Sequence, residues 1–189
     1  MRADATRKRE QVVEAAVDEL AELAVAARKG DSVRLSLDQI AARAGVGVAT
    51  LYRHFPTREA LLEAVYHQDL TRLCDAAPGL AAEGSADERL LTWMHRYLDF
   101  VDSKRAMGVS LRSMVASGAV TQSDTRARLT EAAAYFLSAG TKDGVLRADV
   151  PPEDVVAAMA GAVIAADPQQ QREQTQRLLK LLVDGLRVR

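Results

Sequence analysis

Apolar residues recur at steps of three and four along almost the whole of this chain, and that spacing confines it to helices. Val13, Ala16, Val17, Leu20, Leu23, Ala24 and Ala27 form one stripe, the signature of a helix that buries one face. The rhythm returns in Leu61, Leu62, Val65, Leu70 and Leu73, and again in Leu90, Met94, Tyr97, Leu98 and Val101. "RAMGVSLRSMVASG" predicts a further helix, as do the stretches from about Thr125 to Ala139, Pro152 to Ala166 and Pro168 to Arg187. Pro152 and Pro168 stand where a helix tolerates proline, in its first turn. Only "GVLRADV" (144–150) alternates as a strand does, and it reads as a connector. The fold class is all-α.

Local signals divide the helices. Arg28 and Lys29 suit the negative end of the first one, and Gly30 can take the left-handed cap. Ser36-Leu37-Asp38-Gln39 reads as a capping box opening a short helix. Ile40, Ala41 and Ala44 are its apolar face, and Gly45 stops it. Another short helix is predicted from Val48 to Phe55 and ends at Pro56. Thr57 is a natural N-cap for the next, with Glu59 in its favourable first turn. The clearest break is "APGLAAEGSAD" (77–87).

Composition narrows the function classes only slightly. Formal charge is −1, from 25 Lys and Arg against 26 Asp and Glu, so bulk electrostatics favour no particular partner. The one cysteine, Cys74, cannot form an internal disulfide and reads as a small buried hydrophobe. "MRADATRKREQ" is polar and no apolar segment of signal-peptide type follows it. The longest apolar stretch, "VVAAMAGAVIAA", has the length of a buried helix rather than a membrane span. A soluble cytoplasmic protein without a membrane partner is expected. Metal-ligand spacings, nucleophile–base pairs and cofactor loops are absent from the sequence, so neither an enzyme nor a cofactor is expected.

The densest chemistry lies in "GVGVATLYRHFPTREALL", residues 45–62. A Gly-x-Gly that cradles a nucleotide phosphate needs a strand before it and a helix after it. Here a capped helix precedes the glycines, which favours a tight turn between two short helices, a helix-turn-helix. Gly45 permits positive φ, and Gly47 at the start of the second helix leaves room for its backbone to approach a phosphate. Leu51 and Phe55, four apart, pack inward. Thr50, Tyr52, Arg53 and His54 occupy the remaining arc, and each can donate to phosphates or base edges.

Residues 37–62, "LDQIAARAGVGVATLYRHFPTREALL", resemble the helix-turn-helix of the tetracycline-repressor (TetR) family. The shared run is Ala-Gly-Val, a short variable stretch, Thr-Leu-Tyr-x-His-Phe, proline, threonine, a basic residue, glutamate and a leucine pair. It lies within the first third of the chain. The resemblance implies that Thr50, Tyr52, His54 and Arg58 contact operator phosphates. It places Gly47, Val48 and Ala49 at the base-facing end of the recognition helix, and Ser36 as a cap near a phosphate. Arg53 matches a variable position, open to a guanine or to the backbone. The expected DNA-binding domain spans 6–66, with its motif at about 36–55.

Two departures accompany the resemblance. Ala15-Ala16 and Ile40-Ala41 are separated by more residues than is usual, so either the first helix is long or the loop "KGDSVRL" bulges. From Met1 to Tyr66, ten cationic residues are matched by ten acidic ones. Binding then rests on the placement of a few charges, with the acids on a far face. Arg2, Arg7, Lys8 and Arg9 form the one basic cluster, open to reading as a flexible arm along DNA or as a solvated tail.

Residues 67–189 carry no diagnostic motif. The resemblance implies a helical regulatory domain with a small-molecule pocket and a homodimer interface built from the last two helices. Leu178, Leu179, Leu182, Val183 and Leu186 offer a stripe for such an interface, beside the small residues of "VVAAMAGAVIAA". Candidate pocket residues are Trp93, Met94, Tyr97, Phe100, Met107, Met114, Tyr135 and Phe136, although such residues more often form plain core. The expected function is a dimeric transcriptional repressor, bound to double-stranded operator DNA and released by an unidentified small-molecule effector. The alternative is a helical ligand-binding module or an enzyme without a DNA role.

Overall fold

The computed structural model describes residues 2–28, 35–80, 84–167 and 170–188. Among them are nine helices: α1 (Arg2–Arg28), α2 (Leu37–Arg43), α3 (Val48–His54), α4 (Arg58–Gly79), α5 (Ala86–Ala106), α6 (Val109–Ala116), α7 (Gln122–Lys142), α8 (Pro152–Ala165) and α9 (Gln171–Leu186). The chain is all-α. The expected Gly30 cap, the loop through 29–34 and the first-turn role of Pro168 lie outside the described residues.

One compact unit gathers Met1–Leu70 with Asp99–Thr121. Its core is built where three helices meet: α1 contributes Val12, Val13, Ala16 and Leu20, α2 contributes Ile40 and Ala41, and α3 contributes Leu51. α4 adds Leu61, Leu62, Val65 and Tyr66 from the face its spacing predicts. The unusual length between Ala16 and Ile40 is taken up in part by α1 itself, which is 27 residues long. A flexible basic arm is not what the structure contains. α1 is helical from Arg2, and Asp4 pairs with both Arg7 and Lys8 at 3.0 Å.

Later chain segments hold the first half of α4 within this unit. Ser103 Oγ donates to Asp69 Oδ2 at 2.9 Å, and Ser110 Oγ donates to Glu59 Oε1 at 3.4 Å. The His67 ring reaches the Ala119 carbonyl at 3.2 Å; a carbonyl only accepts, so Nε2 carries the proton. Lys104 lays its ammonium 4.8 Å from the Phe100 ring centre and 5.6 Å from that of Tyr66, and burial lowers its pKa.

The second unit gathers Thr71–Leu98 with Gln122–Arg189. Trp93 is fully buried and donates its indole N–H to the Leu73 carbonyl at 3.0 Å, while its ring lies 5.6 Å from that of Phe136. α8 packs against both α7 and α9. The connector 144–150 does pair, but through one isolated bridge rather than a strand. Leu146 forms an isolated antiparallel bridge with Arg187, supported by Arg147 N–H to Leu186 O at 2.8 Å and Val188 N–H to Val145 O at 3.0 Å. The Arg187 guanidinium also meets the Asp87 carboxylate at 2.7 Å, tying the end of the chain to the start of α5.

Candidate nucleic-acid interface

α2 is bounded at both ends by local chemistry. Ser36 Oγ accepts from the Gln39 N–H at 3.3 Å, the serine half of the predicted box. At the other end Gly45 takes φ +66, its N–H donates to Ala42 O at 3.1 Å, and Val46 N–H donates to Ala41 O at 3.0 Å. This is the Schellman arrangement, which glycine adopts without steric cost. Gly47 differs. It caps α3 at φ −71 and ψ 147, a conformation open to any residue, and a Cβ built there meets nothing within 4 Å. Its glycine is therefore required by no feature of the fold, and it leaves open space at the helix start.

The seven residues of α3 sort into arcs. Leu51 and Phe55 are buried. At about 100° per residue, Ala49 and Arg53 fall on the side opposite them, and both are exposed. Val48, 38% exposed, and Tyr52, 47% exposed, form one flank. Thr50 and His54 form the other, half-buried. Arg53 lies within 3.5 Å of Thr50 Oγ1, a long contact. The structure thus brings Gly47, Val48, Ala49, Thr50, Tyr52, Arg53 and His54 together on one short helix. Ser36 stands apart at the start of α2, and Arg58 at the start of α4.

Arg58 follows Thr57, whose Oγ1 accepts from the Ala60 N–H at 3.1 Å. Its side chain is half-buried, and Nε finds no acceptor among the described residues. Arg43 is committed instead: its guanidinium lies 2.9 Å from Glu22 and 3.5 Å from Glu19 on α1. That hydrogen bond holds the Glu22 carboxyl below its ordinary pKa. Arg9, one of the N-terminal cations, stacks 4.9 Å from the centre of the Phe55 ring. A signal for this existed, because the α1 stripe stepped back from Val12 and Val13 reaches Arg9.

The eight candidate pocket residues divide between the units. Trp93, Met94, Tyr97, Tyr135 and Phe136 belong to one, and Phe100, Met107 and Met114 to the other. All are buried except Tyr135, which is 40% exposed and touches Phe136 edge-on at 5.7 Å. Two open clefts in the second unit are lined elsewhere. One of about 530 Å³ is bounded by Gly79, Leu80, Gly84, Glu88, Arg89, Thr92 and Arg96, and one of about 430 Å³ by Arg147, Gly185, Arg187 and Val188. Burial pushes the Cys74 thiol up to about 11, far from the range of a reactive thiolate. Among the described residues no cluster of His, Cys, Asp and Glu is arranged to hold a metal, and no helix is long and apolar enough to cross a membrane.

Comparison with known proteins gives one family match to each of two parts of the sequence. Residues 32–65 match the bacterial regulatory proteins of the tetR family, and residues 85–188 match the SbtR-like transcriptional regulator C-terminal domain. No curated protein matches the chain. Among solved structures, a TetR transcriptional regulator from Streptomyces coelicolor is 40% identical over 95% of this chain and 98% of its own, with a TM-score of 0.78. A TetR regulator from Mycobacterium vanbaalenii is 30% identical over 99% of both chains, with a TM-score of 0.69. A third structure, which gives the molecular basis for control of antibiotic production by bacterial hormones, is 26% identical over 95% of this chain and 97% of its own, with a TM-score of 0.65. With α3 exposing its outer arc, Gly45 turning the chain into it and both parts of the sequence matching, this chain belongs to the TetR family of transcriptional regulators.

Proposed function

We propose that the protein is a homodimeric repressor that grips operator DNA through α3 and lets go when a small molecule binds. The observation that carries this reading is the exposed arc of α3. A helix of seven residues leaves Tyr52, Arg53 and Ala49 in solvent while burying Leu51 and Phe55. Thr50, Tyr52 and His54 then meet operator phosphates, Gly47, Val48 and Ala49 approach base edges, and Ser36 caps α2 beside the backbone. Arg58, whose Nε finds no acceptor among the described residues, meets a further phosphate.

The dimer reading rests on exposed apolar surface of the last two helices and not on the expected α9 stripe, whose Leu179, Val183 and Leu186 are already buried within the chain. Ile164 on α8 is 83% exposed and Leu181 on α9 is 66% exposed, with Ala157, Ala158 and Gly161 also in solvent. Two such faces related by a twofold axis form a four-helix interface. In function, 6–66 serves DNA and 67–189 serves regulation and assembly. Of the residues expected at the effector site, Trp93, Met94, Tyr97, Tyr135 and Phe136 share the second unit, and the site is assigned to them. Effector binding shifts α4 and α5, whose residues fall in both units, so that paired α3 helices no longer enter major grooves ~34 Å apart.

The test is a gel shift of the purified chain on DNA upstream of its own gene, with footprinting for a protected inverted repeat. Replacing Thr50 and Tyr52 is expected to abolish the shift. A shift that survives both replacements removes α3 from the interface.

A further inference from the structure

We infer that Arg53 is a base-reading residue of α3 and that it recognises a guanine in each operator half-site, an inference that rests on the DNA-binding reading above. The helix is divided by its own packing. Leu51 and Phe55 point into the core, and the line directly opposite carries Ala49 and Arg53. When a recognition helix lies in the major groove, the side opposite its core meets base edges, and its flanks meet the two phosphate walls. Tyr52 occupies one of those flanks, and Thr50 with His54 the other.

Three features suit Arg53 to that line. Its side chain is exposed, and no carboxylate among the described residues pairs with it, unlike Arg43 with Glu22. Ala49, one turn earlier on the same line, is short, so no side chain holds the helix away from the groove floor. The open Cβ position at Gly47 removes a further obstacle at the entering end. A guanidinium presents two parallel N–H donors, which match guanine O6 and N7; adenine offers N7 but replaces O6 with a donor. The 3.5 Å approach to Thr50 Oγ1 is long enough to yield to a base. Tyr52 and Thr50, with single hydroxyls on the flanks, lack this geometry.

The test uses the full-length chain. Sites are first selected from a random duplex library, and wild type, Arg53→Ala and Arg53→Lys are then compared on the selected site and on single-base variants of it. Wild type is expected to lose roughly ten- to hundred-fold in affinity when one G·C pair per half-site is changed. Arg53→Ala is expected to bind the original and changed sites equally. Replacing that guanine with 7-deazaguanine, which removes N7 and leaves every phosphate, is expected to weaken wild type but not Arg53→Ala. Arg53 is exposed, so unchanged melting curves will show that the variants fold. Arg53→Ala weakening all sites alike, with the salt slope falling by about one and base preference intact, overturns the inference and makes Arg53 a phosphate contact. A wild type that binds DNA but enriches no sequence also overturns it. A wild type that binds no DNA refutes the repressor reading itself.

Discussion

The guanidinium of Arg9 lies 4.9 Å from the centre of the Phe55 ring, so a cation near the start of α1 covers the residue that closes α3. Phe55 is buried, and Arg9 itself is exposed. A cation over an aromatic face at an exposed site contributes about 0.5–1 kcal/mol. Arg9→Ala is expected to lower stability by that amount in urea denaturation, and Arg9→Lys by less. A double-mutant cycle with Phe55→Leu isolates the pair; zero coupling would show that the stacking is incidental.

The two glycines of the turn make opposite predictions. Gly45 sits at φ +66, where an added Cβ costs about 1–2 kcal/mol, so Gly45→Ala is expected to lower the melting temperature. Gly47 has ordinary φ and open space around it. Gly47→Ser therefore leaves stability unchanged or slightly raised, serine being a good N-cap, yet weakens DNA binding by crowding the helix start. Equal melting shifts for the two variants contradict this.

Gly140 lies where a Cβ would overlap the Leu146 side chain, which is itself buried. Gly140→Ala is expected to cost about 1–3 kcal/mol through overpacking. Leu146→Ala alone opens a cavity and costs about 2–5 kcal/mol. The double variant is expected to be more stable than the sum of the two losses, since the smaller side chain admits the new methyl. Additive losses would place the strain elsewhere.

Ile164→Glu and Leu181→Glu introduce charge on the exposed faces of α8 and α9. If these faces meet in a dimer, sedimentation will show the variants as monomers with unchanged helix content, and their operator affinity will fall steeply. Variants that sediment as wild type would exclude these faces from the interface.

Asp87 gives a pH dependence of defined sign. Hydrogen bonding from Ser85 and then from the Arg187 guanidinium holds its carboxyl below the ordinary 3.8. A folded-state pKa below the unfolded value stabilises the protein above the unfolded pKa, and the contribution is lost as pH falls through the folded one. Asp87→Asn is therefore expected to be less stable than wild type at pH 7, with the gap closing below about pH 4. A gap that persists in strong acid would assign the effect to packing.

Much of the α2–turn–α3 segment was legible because its determinants are local. Ser36, Gly45 and Thr57 act on backbone groups within a few residues of themselves, and a capping rule needs no knowledge of the rest of the fold. The split of α3 into buried and exposed arcs followed from helical period alone. The outward line of Ala49 and Arg53 became distinct from the flanks only once burial was known.

What the sequence determined by itself was the helical class, the turn that presents α3, and the family motif, all encoded by neighbours in the chain. Tertiary structure decided which cations are spent: Arg43 on Glu19 and Glu22, and Arg9 on Phe55, while Arg53 stays in solvent. It also decided that the aromatic and methionine residues between 93 and 136 divide between two units, because α5 runs through both. It joined Leu146 to Arg187, and Arg187 to Asp87 a hundred residues away. These outcomes depend on contacts between segments far apart in sequence, and periodicity carries no information about which distant segment a face will meet.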